Sequence, residues 1–166
     1  MKKHLRRLLV LGSLALAPVL MLVGCSQEQA PKVDYVLLDG AKANSQQWAG
    51  KVMLVNFWAT SCTTCVHEMP QVIATFDKYK GPAFDTLAVA MSYDPPAYVA
   101  NFAESRKLPF KVAIDNTGTL AQAFGQVQMT PTTFVINKHG QIVKRYVGEP
   151  DFAALHALIE QLMAEA

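Results

Sequence analysis

The sequence predicts an α/β domain: a mixed central sheet flanked by helices, behind a short N-terminal leader. Three observations carry this. First, from Val52 onward short apolar runs alternate with stretches whose apolar residues recur at helical spacing, the pattern of a sheet covered on both faces. Second, the last two strand-like runs are joined by Asn137-Lys138-His139-Gly140, a hairpin signal that makes the sheet mixed. Third, 166 residues with 51% apolar and 17% charged side chains suffice for one core-forming domain plus a terminal extension, and are neither disordered nor coiled-coil in composition.

The leader reads MKKHLRRLLVLGSLALAPVLMLVG over residues 1–24. A basic head, an apolar run from Leu8 to Val23 and small Gly24 before Cys25 follow the secretory order. Leu22-Val23-Gly24-Cys25 resembles a bacterial lipobox. The resemblance implies cleavage before Cys25 and diacylglycerol transfer to its sulfur; an uncleaved membrane anchor with Pro18 inside it is the alternative. Both place the domain outside the cytoplasm, in the periplasm or at the cell exterior. Ser26, rather than Asp, after the lipid site is compatible with outer-membrane sorting, but leaves the membrane open. The expected organisation is a signal peptide over 1–24, the lipidated cysteine and a flexible tether over 25–32 (SQEQAPK after Cys25), and the domain over 33–166. The leader holds four of the 15 basic residues, Lys2, Lys3, Arg6 and Arg7, so the remainder carries 13 acidic against 11 basic. No basic patch for nucleic acid is visible.

Within the domain, Val33–Leu38 is a short apolar segment stopped by Asp39-Gly40. VMLVNFWA (Val52–Ala59) suits a strand buried on both faces. Val66, Met69, Ile73 and Phe76 then mark a helix that Gly81-Pro82 ends. Phe84–Met91 is a second buried strand. Asp94 is a candidate cap for a helix opening with Pro95-Pro96 and carrying Val99, Phe102 and Ala103 on one face. Phe110–Ile114 reads as a strand and Thr119–Phe124 as a short helix. Thr132–Asn137 and Gln141–Val147 form the hairpin, and a final helix starts at Asp151 with Leu155, Leu158 and Leu162 inward and His156 on the polar side.

The chemistry is expected at Cys62-Thr63-Thr64-Cys65, where a buried strand becomes a helix. The unpaired N–H groups and dipole of a helix N-terminus favour a thiolate, and the spacing lets both sulfurs close a small disulfide within one turn. Cys62, at the open end, is the expected nucleophile; Cys65, further into the helix, the resolving thiol. Lipidation of Cys25 leaves these as the one pair among three cysteines. A static disulfide is the plain alternative, although so small a ring constrains the unfolded chain little. A zinc site normally wants four ligands, and only His67 lies near the pair. No cofactor or metal is expected.

Thr130-Pro131 is the second element, a proline just before the strand TTFVIN. The stretches DGAKANSQQWAGKVMLVNFWATSCTTCVHEMP and MTPTTFVINKHGQIVKRYVG together resemble the TlpA/ResA-like branch of the thioredoxin superfamily. The resemblance covers most of residues 33–166. It implies a thioredoxin fold with an added N-terminal hairpin and a βα insertion over Phe110–Phe124. It also implies that Pro131 is cis and that Thr130, Pro131 and Trp58 border a groove for an extended partner segment. Trp58 has ordinary core packing as its alternative reading. Where thioredoxins proper carry a buried Asp in the strand, this chain has Asn56. Members of the branch carry instead a helical Glu two residues before a Pro, which matches Glu68 ahead of Pro70. Glu68 shares a helix face with Cys65 and could take its proton; a solvated surface carboxylate is the alternative. His67 reads as a surface residue beside the reactive turn.

The chain departs from the branch at Thr64, commonly Pro, and at Ser61, often Trp. The residues between the cysteines help set the reduction potential, so these changes bear on the direction of electron flow. The leading expectation is a reductase of exported protein disulfides, with apocytochrome c or copper-site assembly proteins as substrates and a membrane thiol carrier as donor. A disulfide-donating oxidase is the alternative. A thiolate copper chaperone ranks below both, because the longer cysteine spacing and distant His that such chaperones use are missing. A peroxidase lacks its expected Pro and Thr/Ser before the cysteine, where Val55 and Ala59 stand.

Overall fold

The computed structural model describes residues 28–165; the leader, Cys25 and their expected processing lie outside the described residues. The elements are β1 (Asp34–Val36), β2 (Lys42–Asn44), a 3-10 turn (Ser45–Trp48), β3 (Val52–Trp58), α1 (Thr63–Tyr79), β4 (Phe84–Ala90), α2 (Pro96–Arg106), β5 (Lys111–Ile114), α3 (Thr119–Ala123), β6 (Thr132–Ile136), β7 (Ile142–Val147) and α4 (Phe152–Ala164). The main sheet runs β5-β4-β3-β6-β7. β3, β4 and β5 are parallel, and β6 and β7 each run antiparallel to the neighbour before it in that order. This is the thioredoxin fold, with β1 and β2 as the N-terminal hairpin and β5–α3 as the insertion.

Strand parity sorts the core. Val52, Leu54 and Trp58 of β3 point to the face covered by α1, α2 and α4, where Met69, Val72, Val99, Leu155, Ile159 and Leu162 meet them. Met53, Val55 and Phe57 point to the other face, which the N-terminal hairpin, the 3-10 turn and α3 cover through Tyr35, Trp48 and Phe124. All seven residues of β3 are buried, as expected of a central parallel strand. The sequence pattern misses β2, whose three residues Lys42–Asn44 bury only Ala43 and carry no apolar alternation.

Two expectations change at the edges. Residues 28–32, assigned to the tether, lie against the domain. Ala30 N donates to Gly140 O at 2.8 Å, Ile142 N to Glu28 O at 2.7 Å, and Ser45 Oγ to Pro31 O at 2.9 Å. His156, expected on the polar side of α4, is half-buried, with Nε2 at 2.8 Å from Thr75 Oγ1. The β6–β7 turn is closed by Asn137, whose Oδ1 accepts from His139 N and Gln141 N, while Gly140 takes the positive φ of 76° the turn requires. Among the described residues no helix is long and apolar enough to cross a membrane.

Candidate active site

β3 ends at Trp58 and α1 begins at Thr63, with four residues between them. The turn between them closes with Cys62 N donating to Ala59 O at 3.2 Å. Cys62 is the N-cap residue of α1, and its Sγ accepts from Cys65 N at 3.1 Å. The two sulfurs form a disulfide, with Cα atoms 5.2 Å apart. Exposure separates them: Cys62 is half-buried and Cys65 fully buried. The more accessible sulfur therefore stands at the helix N-terminus, where the orphan N–H groups favour an anion.

The Thr130–Pro131 peptide is cis. Thr132 pairs with Phe57 across β6 and β3, which brings Pro131 to the end of the sheet where the cysteine turn leaves β3. Thr130 is partly exposed and Pro131 buried; Gly148 N donates to Pro131 O at 2.8 Å. Trp58 does not border a groove. Its side chain is fully buried and its ring packs against Phe102 of α2 at 5.0 Å, so it supports the site from behind. That is the outcome of parity: Trp58 shares the inward face of β3 with Val52 and Leu54.

Glu68 is not a surface carboxylate. It is 1% exposed, on the α1 face that also buries Cys65 and Met69. Its Oε1 accepts from Asn56 Nδ2 at 2.9 Å, and the same amide donates to Thr133 Oγ1 at 2.9 Å. Glu68 Oε2 and Asn56 Oδ1 are buried with no hydrogen-bond partner among the described residues. Burial pushes the Glu68 pKa up to about 7; the Asn56 amide opposes this and the Glu149 charge adds to it. A carboxyl one helical turn from Cys65 therefore exchanges its proton near neutral pH, the range in which a general base is useful.

Thr133 belongs to this cluster and the sequence reading passed it over. The register Asn56↔Thr133 is the signal, but it exists only once β6 is paired with β3. His67 is exposed, with Nδ1 at 3.2 Å from Glu149 Oε2. Asp94 does not cap α2, which has no side-chain cap bond; it faces the cysteine turn instead. Among the described residues no group of three His, Cys, Asp or Glu could hold a metal ion.

A close-spaced dithiol pair at the strand-to-helix junction of a thioredoxin fold, with a cis-proline at the same end of the sheet, defines a thiol–disulfide oxidoreductase. Comparison with known proteins agrees. The Redoxin family matches residues 26–159. The thiol-disulfide oxidoreductase ResA of Halalkalibacterium halodurans is 33% identical over 141 residues, covering 84% of this chain and 78% of that protein. The solution structure of a protein described as a thioredoxin from Neisseria meningitidis matches with a TM-score of 0.78 at 40% identity, covering 85% of this chain and 93% of that one. The crystal structure of a thiol:disulfide interchange protein of the thioredoxin family from Chlorobium tepidum matches with a TM-score of 0.76 at 25% identity, covering 84% and 98%. The chain belongs to the Redoxin family and, within it, to the TlpA/ResA-like thiol–disulfide oxidoreductases.

Proposed function

We propose that the protein is a lipid-anchored, extracytoplasmic reductase of disulfides in exported proteins, such as those of cytochrome c maturation or copper-site assembly. The thiolate of Cys62 attacks a partner disulfide, a mixed disulfide forms and one partner thiolate leaves. Cys65, deprotonated by Glu68, then attacks Cys62 Sγ, and the second partner thiol is released. The partner gains two electrons and the Cys62–Cys65 disulfide forms; a membrane thiol carrier restores the dithiol. Thr130 and Pro131 border the approach of the partner segment, and a lipid on Cys25 holds the domain at the membrane.

The observation that carries this reading is the buried carboxyl behind the resolving cysteine. Cys65 is fully buried, which raises a thiol pKa, so the resolving step needs a base nearby. Glu68 shares its helix face, and burial has already brought that carboxyl to about 7. The same residues also run the exchange backwards, as a disulfide donor. Thr64 keeps that second reading open, because about 30 mV in reduction potential shifts the balance about tenfold.

The test uses two variants and one titration. Cys65→Ser should accumulate mixed disulfides with exported proteins, and Cys62→Ser should accumulate almost none. Equal trapping by both, or trapping by Cys62→Ser alone, rejects the roles. A Cys62/Cys65 potential well below that of the surrounding thiol pool supports the reductase; one well above it supports the oxidase.

A further inference from the structure

Asp94 is 2% exposed, and both of its carboxylate oxygens point at one residue. Oδ2 accepts from Thr60 N at 2.6 Å and Oδ1 from Thr60 Oγ1 at 2.5 Å. Thr60 stands in the turn Ala59–Cys62 that delivers the first cysteine to the N-terminus of α1. The loop carrying Asp94 is itself tied down, with Met91 N donating to Trp58 O at 3.0 Å and Asp94 N to Met91 O at 2.9 Å. Its next residue back, Tyr93, has its hydroxyl 3.3 Å from Thr130 Oγ1, beside the cis-proline. One loop therefore touches both halves of the site.

We infer that Asp94 is a positioning residue for Cys62, bracing the Thr60–Cys62 turn so that Cys62 Sγ stays over the open end of α1. Two bonds to a single residue fix both the direction of its backbone N–H and its side-chain rotamer. Without the brace the turn is held by the Cys62 N to Ala59 O bond, at 3.2 Å the longer contact. The cysteine would then spend less time where the helix N–H groups stabilise its thiolate, and that stabilisation falls off within the first turn. The inference rests on Cys62 being the attacking sulfur.

Three variants of the full-length protein separate bracing from charge and from stability. Asp94→Ala removes both bonds. Asp94→Asn can keep both contacts, with the amide oxygen accepting from Thr60 N and the amide nitrogen donating to the Thr60 hydroxyl oxygen. Thr60→Val removes only the hydroxyl bond and covers the case in which Asp94→Ala fails to fold. Each is read by the pH dependence of Cys62 alkylation and by the rate of mixed-disulfide formation, in a Cys65→Ser background with a small aromatic disulfide as probe. Asp94→Ala should raise the Cys62 thiol pKa by about one unit and slow attack about tenfold, within the range over which helix ends tune thiols. Thr60→Val should lose about two- to fivefold in the same rate, as one hydrogen bond allows, and Asp94→Asn should stay near the parent. A lowered melting temperature with unchanged alkylation pKa and rate in Thr60→Val would overturn the inference, as would equal loss in Asp94→Asn and Asp94→Ala. Trapping through Cys65 instead of Cys62 would reject the assignment of the nucleophile, a result visible in the single cysteine variants without touching Asp94.

Discussion

Asn56, near the middle of β3, donates its amide to Glu68 Oε1 on α1 at 2.9 Å and to Thr133 Oγ1 on β6 at 2.9 Å. The amide thereby uses both N–H groups to tie the catalytic helix to the sheet. It offers Glu68 a hydrogen bond but no charge. Among the described residues that carboxyl has one hydrogen bond, one unpartnered oxygen and no ion-pair partner, so desolvation outweighs the Asn56 bond and its pKa rises to about 7 rather than falling.

Glu68→Gln should leave the first attack by Cys62 unchanged and slow resolution by Cys65 about 10- to 100-fold, at or below the usual yield of one general base. The pH dependence sets the sign. The base acts as its carboxylate, so wild-type resolution rises with pH through about 7, whereas the variant follows the Cys65 thiol alone and rises at higher pH. Stopped-flow formation and decay of the mixed disulfide across pH checks both arms. Unchanged decay would return Glu68 to a structural role.

The same shift is a statement about stability. Glu68 binds its proton more tightly folded than unfolded, so between about 4.5 and about 7 the native state holds protons that the unfolded chain has lost. Stability from this group is therefore full below about 4.5, falls as pH rises through about 7, and stays low above. Glu68→Gln mimics the protonated form at every pH. The oxidised variant should match wild type near pH 4 and exceed it at pH 8 by at most about 3 kcal/mol, the ceiling set by a rise from 4.5 to about 7. Urea unfolding at the two pH values measures the difference; a constant offset between them would contradict the buried, raised carboxyl.

The fold was legible because its strongest signals are local. β3 announces itself as seven apolar-dominated residues, α1 by Val66, Met69, Ile73 and Phe76 at helical spacing, and the β6–β7 turn by Asn137 and Gly140. The cysteine pair was legible for the same reason, as a short motif, whereas the cis bond at Pro131 came only from the family resemblance. What depended on long-range packing was not. Trp58 reads equally well as groove wall or core until the parity of β3 is known. Asp94 before two prolines looks like a helix cap, yet its partner Thr60 lies 34 residues away. Thr133 acquires meaning only through its register with Asn56. Glu68 has the composition of a surface helix residue, and only its neighbours Cys65 and Met69 show that its face is inward.

The anchoring expectation has its own test. Leu22-Val23-Gly24-Cys25 predicts lipid on Cys25. Glu28 and Ala30 are hydrogen-bonded to Ile142 and Gly140, so residues from 28 onward belong to the domain rather than to a tether. Wild-type protein expressed in a lipoprotein-making bacterium should take up labelled palmitate, and Cys25→Ser should take up none and keep its leader. Absence of label in the wild type would reject the lipobox reading.

Asn56→Asp tests the proton relay from the sheet side. In the wild-type background the new carboxyl would face Glu68 across the 2.9 Å contact that the amide now makes. Two carboxyls at that separation cannot both ionise cheaply, so they share a proton and titrate as a pair. One of them should hold its proton well above pH 7, and the pH midpoint of resolution should rise by at least about one unit, in keeping with shared carboxylate sites. In the Glu68→Gln background the arrangement reverses. The new glutamine on α1 can donate its amide to the new carboxylate on β3, and the Thr133 hydroxyl can turn to donate as well, so a buried carboxylate is held on the same face as Cys65. That double variant should recover part of the lost resolution rate, roughly tenfold of the 10- to 100-fold deficit. Recovery would show that the step needs a buried carboxylate behind Cys65 and tolerates its placement on strand or helix. No recovery, with folding and the first attack intact, would show that the base must stand on α1 itself.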